Sequence, residues 1–409
     1  MIHLRVSGAD AVPTAAELER LWAQGVLVAL AAPQDRAELE AALPAPPTDP
    51  CPWGPGVVIG SGGSVGQRRW IVQPLGHLER AAEATARWLR QQGIDPAAAT
   101  LFNPLPLHHV SGLMPLVRSR CWGATLRWLD PALMRRPSEL ARQLPLGSAA
   151  GGAALLSLVP TQLGRLLAEP AGVAWLRHFA VIWIGGAALP QELAVAARCE
   201  GLRLSPCYGS SETGAMVAAL APERFLAGEP GCGHALDHAE LRLDPASGAL
   251  QVRATSLAAG FLAAGEFQPL EAPGGWWTSG DGGRLSEAGL QILGRLDGAI
   301  SSGGETVFPE EVERRLRELA AAAALPLEAV LVLGQPDPLW GQRLAALVRA
   351  RSGADAHALL AGLEQAAAVL PPSQRPRQWW SCPGLAPTAL GKWERGRWGR
   401  WLQEASPSA

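Results

Sequence analysis

Of the 35 basic residues in this chain, 34 are arginine and one is lysine, Lys392. Arginine is a planar fork and lysine a compact ammonium on a flexible stem, so a position that needs the second resists replacement by the first. Lys392 ends the stretch Pro387-Thr-Ala-Leu-Gly391-Lys392, which reads as a mobile loop carrying a cation. Chance survival of one lysine under arginine-rich coding is the plainer alternative. Four further stretches carry chemistry. Gly60-Ser61-Gly62-Gly63-Ser64-Val65-Gly66 runs on into Arg68 and Arg69. A Gly/Ser turn after a strand aims N–H groups and hydroxyls at a phosphate, and the arginines add charge. The G-K-[ST] ending of a P-loop is missing, and a plain flexible turn uses the same letters. Pro104-Leu-Pro-Leu-His108-His109-Val-Ser111-Gly112 sets two histidines before a helix start, to position a substrate or to rest as satisfied histidines. Cys207-Tyr208-Gly209-Ser210-Ser211-Glu212-Thr213-Gly214 contains the only tyrosine, several hydroxyls and one carboxylate. A carboxylate beside phosphate-binding hydroxyls suits Mg2+ carried by a nucleotide, and a helix cap is the alternative. In Thr278-Ser-Gly-Asp281, the aspartate can accept from ribose hydroxyls. Gly294-Arg295-Leu-Asp297 and Ser301–Pro309 follow, the latter also readable as a glycine hinge before a proline-started helix.

These residues need a scaffold, and the chain is long enough for one. Its 409 residues are 48% hydrophobic and 18% charged, sufficient for a sizeable core and more than one domain. The net charge of −2 provides no basic field for nucleic acid or an anionic membrane surface. The longest apolar run, near 319–334, is broken by Pro326 and Glu328, which excludes an obvious membrane span. The first residues lack the basic-then-apolar order of a signal peptide. Six cysteines form neither C-x-x-C nor a zinc-spaced cluster, which fits a reducing cytoplasm.

A capping box at Thr14–Glu17 predicts a helix to about Gln24, followed by a buried strand at Val26–Ala32. A Pro-rich loop covers 45–55, a short strand Val57–Gly60, and a helix His77–Gln92 stopped by Gly93. Apolar strands at 101–105, 124–129, 155–159 and 181–184 alternate with helices, with a flexible connection at 147–153. This order predicts an α/β arrangement with parallel pairing. Beyond residue 235 the pattern becomes β-rich, with a hairpin around Asp244–Gly248 and a strand at 290–293. After Arg295 a compact α+β unit follows: helix 309–323, strands 330–333 and 344–349, helix 355–370 and strand 378–381.

In this order the motifs resemble those of the acyl-adenylate-forming, AMP-binding enzymes: acyl-CoA synthetases, peptide-synthetase adenylation domains and luciferases. The resemblance runs from about residue 57 to 400. Gly294–Asp297 and Ser302–Glu313 match that family's G-R-x-D and S-G-G-E-x-x-x-P-x-E-[IV]-E almost letter for letter, and Leu333–Gly341 resembles its V-G-x-P-D-x-x-W-G. Within the family, His109-Val-Ser-Gly112 with Arg118, and Leu158-Val-Pro-Thr-Gln-Leu163, are most similar to the 2-succinylbenzoate–CoA ligases of menaquinone and phylloquinone synthesis.

The resemblance implies a large N-terminal multi-sheet α/β domain with a β-rich subdomain, residues 1–296. A small mobile α+β domain, 297–409, would carry the catalytic lysine and hinge at Asp297. Ser61, Gly62, Gly63, Ser64 and Arg68 take the place of the phosphate loop, with Val65 for a glycine, Gln67 for the proline and Arg68 for the lysine. Gly185, Gly186 and Ala187 resemble the adenine-side turn, where Tyr208, followed by Gly209, stacks on the base. Ser211 stands beside the phosphates, Glu212 holds Mg2+, Asp281 the ribose, and Arg295 reaches nucleotide oxygens. His109 aligns with the histidine near the acyl group, and Ser111 and Arg118 with the acid-recognition residues, a solvated helix arginine being the alternative for Arg118. The segment before the phosphate loop is shorter than usual. The implied activity is ATP-dependent acid–CoA ligation, through an acyl-adenylate, with 2-succinylbenzoate, ATP and CoA as substrates. Rival readings are a ligase for another aryl or alkyl acid, an inactive adenylate-binding regulatory protein resting on the altered phosphate loop, and an adenylation domain serving a carrier protein. The last is disfavoured because no carrier domain follows in the chain.

Overall fold

The computed structural model describes residues 2–6, 11–44, 53–61, 69–146, 152–386 and 393–405. Most of the Pro-rich loop, the phosphate-loop residues Gly62, Gly63, Ser64 and Arg68, most of the 147–153 connection, and Lys392 lie outside them. The chain divides into two compact units. The first comprises Met1–Ala246, Leu250–Ser279 and Arg284–Gln291; the second comprises Ser247–Ala249, Gly280–Gly283 and Ile292–Ala409.

Five parallel strands organise the first unit. Leu204–Ser210, Phe179–Ile184, Ala154–Leu158, Thr100–Asn103 and Thr125–Trp128 lie side by side in that order, and antiparallel Ala215–Ala219 and His234–Ala235 extend the sheet to seven. Strands this apolar belong in a sheet covered on both faces. One side is filled by Leu158, Leu163, Trp175, Ile182 and Phe225. A six-stranded sheet runs Ile2–Val6, Leu27–Ala31, Gly56–Gly60, Trp70–Pro74, Gly260–Ala263 and Glu266–Pro269. Helices Leu75–Gln91 and Val110–Trp122 pack against it: Leu78, Ala81, Leu113 and Val117 meet Val28, Leu30, Val57 and Ile59. Gly93 (φ 73°) and Gly123 (φ 72°) end those helices in the left-handed conformation that glycine adopts without strain.

The α/β expectation and its parallel pairing therefore hold. The first helix departs from expectation. It spans Ala11–Ala23, so Thr14 lies inside it, buried, and is not its cap. Four strands in the order Ala239–Leu243, Ala249–Ala254, Trp277–Ser286 and Gly289–Arg295 form the β-rich section, the first two pairing antiparallel as the expected hairpin.

In the second unit, strands Leu327–Asp337 and Gly341–Ala350 form a long antiparallel pair joined by Ile300–Ser302, Glu305–Val307 and Gln378–Ser381. Side chains alternate between the two faces with period two. Val330 and Val332 face helices Pro309–Ala322 and Ala356–Ala366 through Val312, Leu316, Leu359 and Leu363. Leu331, Leu333 and Leu347 face Trp398 and Leu402 of a C-terminal helix, Arg395–Ala405, that the sequence reading did not foresee. Arg395 ties that helix down: Nη1 donates to the Val332 carbonyl at 2.8 Å, and Nη2 meets Glu310 at 3.0 Å and Glu313 at 2.9 Å. Glu313 also accepts from the Val332 N–H at 2.9 Å. Burial raises the Glu313 pKa, against the opposing pull of Arg395.

Candidate active site

The C-terminal ends of the parallel strands bring most of the expected residues together, the customary place for a ligand in an open α/β sheet. Strand Phe179–Ile184 ends in Gly185-Gly186-Ala187, where Gly186 has φ 78° and the Gly185 N–H donates to the Leu158 carbonyl at 3.2 Å. On the adjacent strand, Leu204–Ser210 passes through Cys207, Tyr208 and Gly209 into a turn and returns as Ala215–Ala219. Gly209 is required here, because a Cβ would sit 2.0 Å from the Ala215 carbonyl oxygen on the partner strand.

That turn presents Ser211 and Glu212, both half-exposed, and its far side is pinned. Thr213 is buried; its Oγ1 accepts from the Ser210 N–H at 2.8 Å and donates to the Ala215 carbonyl at 2.7 Å. Ser256 Oγ donates to the Thr213 carbonyl at 2.7 Å, and the Ala258 N–H donates to the Glu212 carbonyl at 2.8 Å. Gln73, fully buried in strand Trp70–Pro74, donates from Nε2 to the Ser211 carbonyl at 2.8 Å. The Ser211 hydroxyl lies 3.5 Å from the Gly60 carbonyl. The turn is therefore fixed against the end of the strand that enters the Gly/Ser segment, and Ser61 and Arg69 close that segment's base: the Ser61 N–H donates to the Arg69 carbonyl at 2.7 Å. Gln73 was not singled out from sequence. Its signal was one amide in the apolar run Trp70-Ile-Val-Gln73.

The acyl-side residues sit on helix Val110–Trp122. His109 is its N-cap, and Ser111 is exposed in its first turn. Asn103, buried at the end of its strand, donates from Nδ2 to the Gly112 carbonyl at 2.7 Å and accepts from the Leu105 N–H at 3.0 Å, locking the strand end to the helix start. The His108 and His109 rings stand 4.5 Å apart.

Arg118, two turns further along, is 4% exposed. It is not a solvated helix arginine. Its guanidinium lies over the Trp183 ring at 4.6 Å, and its Nε is buried without a hydrogen-bond partner among the described residues. Burial pushes its pKa down to about 10, with only neighbouring Cys207 opposing. Cys207 is a neutral neighbour: burial raises its thiol to about 12, with Arg118 pulling the other way. Trp183 is a site residue that sequence reasoning missed, hidden within an apolar strand; Cys207 opens the quoted tyrosine stretch but was given no role there.

The second unit carries its own group of expected residues. Asp281 lies 3.4 Å from Arg295 Nη1, and Arg295 Nη2 lies 3.0 Å from Asp297. The hydrogen bond from Arg295 is the main cause holding the Asp297 carboxyl below its usual range. Gly280 and Gly282 flank Asp281 for steric reasons. A Cβ at Gly280 would meet the Arg295 guanidinium at 2.5 Å, and one at Gly282 the Phe308 ring at 2.1 Å.

Among the described residues no group of three or more His, Cys, Asp or Glu side chains could hold a metal ion. A single half-exposed carboxylate such as Glu212 instead fits a divalent ion brought in largely by phosphates. No helix among the described residues is long and apolar enough to cross a membrane. A surface depression lined by Glu83, Arg87, Arg90, Cys121 and Trp122 shares none of the site residues.

Comparison with known proteins bears on this arrangement. The family model described as AMP-binding enzyme matches residues 5–262. A 2-succinylbenzoate–CoA ligase of Salmonella typhimurium is 34% identical over 251 residues, 61% of this chain and 49% of that protein. A probable 2-succinylbenzoate–CoA ligase of Mycobacterium tuberculosis is 31% identical over 298 residues, 71% of each chain. The solved structure of o-succinylbenzoate CoA synthetase (MenE) from Bacillus subtilis, in complex with the acyl-adenylate intermediate OSB-AMP, superposes with a TM-score of 0.74 at 19% identity, covering 100% of this chain and 89% of that one. At that identity the likeness is one of fold. The matched stretch spans about half the length of several of these curated relatives. A family match over well more than half of the chain, falling on the strands and turns that gather these residues, makes the chain a member of the AMP-binding enzyme family.

Proposed function

We propose that the protein is an AMP-forming acid–CoA ligase that activates 2-succinylbenzoate for menaquinone or phylloquinone synthesis in the cytoplasm. The observation that carries the acid assignment is Arg118: a buried cation that no carboxylate among the described residues offsets. Of the two carboxylates of 2-succinylbenzoate, one is activated and the other needs a recognition group. A desolvated guanidinium pairs with a carboxylate bidentately and strongly. The curated relatives that carry this name support the same reading.

In the first half-reaction the substrate carboxylate attacks the α-phosphate of ATP, forming acyl-adenylate and releasing pyrophosphate. Ser211, Gly209 and the Gly/Ser segment 61–68 hold the phosphates, Gly185, Gly186, Ala187 and Tyr208 the adenine, and Asp281 with Arg295 the ribose side. Glu212, together with the phosphates, would hold Mg2+, which would supply neutralisation of their charge. Lys392 bridges carboxylate and phosphate oxygens while charge shifts between them; this is positioning and electrostatic stabilisation. In the second half-reaction the CoA thiol displaces AMP after residues 297–409 rotate about Asp297. His109 and Ser111, at the helix start, border the acyl group.

The test is pyrophosphate release over a panel of carboxylic acids. The reading requires 2-succinylbenzoate to lead, with CoA-dependent release of AMP. Preference for an apolar monoacid would make the protein a ligase for that acid. No turnover with any acid would favour an adenylate-binding regulator. Lys392→Ala should lower pyrophosphate release by about 10²–10³-fold yet leave thioester formation from supplied acyl-adenylate largely intact.

A further inference from the structure

Two charged side chains among the described residues are fully buried, Arg118 and Glu313. Glu313 is answered by Arg395 at 2.9 Å. Arg118 is answered by an indole ring. We propose that Trp183 is a positioning residue for substrate specificity: its ring stabilises the Arg118 cation by the face and leaves the guanidinium N–H edge free for the substrate's second carboxylate. The inference rests on the diacid reading above and names the residue that makes the diacid preference possible.

A buried arginine needs some compensation for lost water. An aspartate would supply it, but would also occupy the bidentate fork and cancel the charge. An aromatic face attracts a cation through its quadrupole, more strongly once water is excluded, and uses none of the N–H donors. The Arg118 carbon at the centre of the guanidinium lies 4.6 Å from the Trp183 ring centroid, within cation–π range. Nε, one of the donors on the edge, is buried without a partner among the described residues. Cys207, a neighbouring thiol, stays neutral because burial raises it to about 12.

The indole is itself held. Trp183 is 3% exposed in the middle of the parallel sheet, paired in register with Leu156–Leu158 on one side and Leu204–Pro206 on the other. Trp88 packs on it at 6.3 Å between ring centroids. Trp183 is two residues before Gly185, so the platform and the adenine-side turn belong to one strand. Such a site discriminates strongly, because a substrate without the second carboxylate leaves the buried cation unpaired.

The experiment uses the full-length protein and measures pyrophosphate release with 2-succinylbenzoate and with 4-oxo-4-phenylbutanoate, which lacks the ring carboxylate. Trp183→Leu should raise KM for the diacid about tenfold, consistent with loss of a desolvated cation–π contact. It should leave kcat within about twofold, KM for ATP unchanged and KM for the monoacid nearly unchanged. Trp183→Phe keeps a weaker π face and should fall between the two. It also serves as the readout if the leucine variant fails to fold. A diacid-to-monoacid ratio of kcat/KM that stays at the wild-type value in both variants, including through an equal loss for both acids, overturns the role of Trp183. Wild-type protein inactive on the diacid overturns the acid assignment instead, and this inference with it.

Discussion

His238 sits between strands His234–Ala235 and Ala239–Leu243 with both ring nitrogens buried and unpartnered among the described residues. Burial pushes its pKa down from 6.5 to about 4, with Asp237 raising it and Arg87 lowering it by smaller amounts. The imidazole is therefore neutral in the fold at pH values where it is protonated in the unfolded chain. Above pH 6.5 it is neutral in both states and costs nothing. As pH falls below 6.5 the unfolded state takes up the proton first, and stability declines until the folded group titrates near pH 4. The full loss is on the order of 3 kcal/mol. Urea unfolding at pH 7 and pH 5 should show the drop in wild type, and His238→Leu should flatten it. An equal drop in both proteins would assign the acid sensitivity elsewhere. The His238 site was not legible in the sequence, and the burial of Arg118 was expected only through the family resemblance, with a solvated helix arginine as the alternative. Arg118 stands two residues from Arg120, which is exposed. Nothing in Leu116-Val-Arg-Ser-Arg120 distinguishes a cation facing a tryptophan from one facing water, because the tryptophan arrives from 65 residues later in the chain.

At the scale of elements, the hairpin Leu204–Ser210 and Ala215–Ala219 decides where Ser211 and Glu212 stand, and Gly209 permits its close pairing. Gly209→Ala should push the two strands apart at an overpacking cost of about 1–3 kcal/mol. The urea midpoint should fall and nucleotide affinity with it. A variant of wild-type stability and affinity would mean the hairpin absorbs a methyl group without moving its turn. The long apolar strands and the helix Leu75–Gln91 were readable because their hydrophobic spacing matches a period that few alternatives share. Trp70–Pro74 was not, since its buried Gln73 and terminal Pro74 read as breaks, although that glutamine is what ties the strand to the Ser211 turn. Helix Arg395–Ala405 was missed because Gly396 and Gly399 argue against a helix, while Trp398 and Leu402, one turn apart, supply the buried stripe that outweighs them.

For the molecule as a whole, the order of motifs was more informative than any one of them, and it led to the family that the profile match supports. The hinge follows from the proposed two-step reaction. A few residues must absorb the backbone change of a domain rotation, and Asp297 lies in a short 3-10 turn, Leu296–Gly298. Asp297→Pro should leave pyrophosphate release near wild type and slow thioester formation by about tenfold, a barrier change of about 1.4 kcal/mol. Asp297→Ala, which removes the ion pair with Arg295 but not the freedom of the backbone, is the control. Equal slowing of both half-reactions by the proline variant would place the hinge elsewhere. The anchoring of Arg395 to Glu310, Glu313 and Val332 has an experimental consequence of a different kind. Lys392 is three residues upstream, and three residues reach at most about 10 Å. Because the sequence contains one lysine, an amine-reactive dye would find a single side chain to label. A dye there would be leashed to the second unit rather than drifting on a long tether. Because that label consumes the ammonium on which the proposed adenylation depends, its emission, read against a second dye on the first unit, would trace the response to supplied acyl-adenylate and CoA rather than a full catalytic cycle.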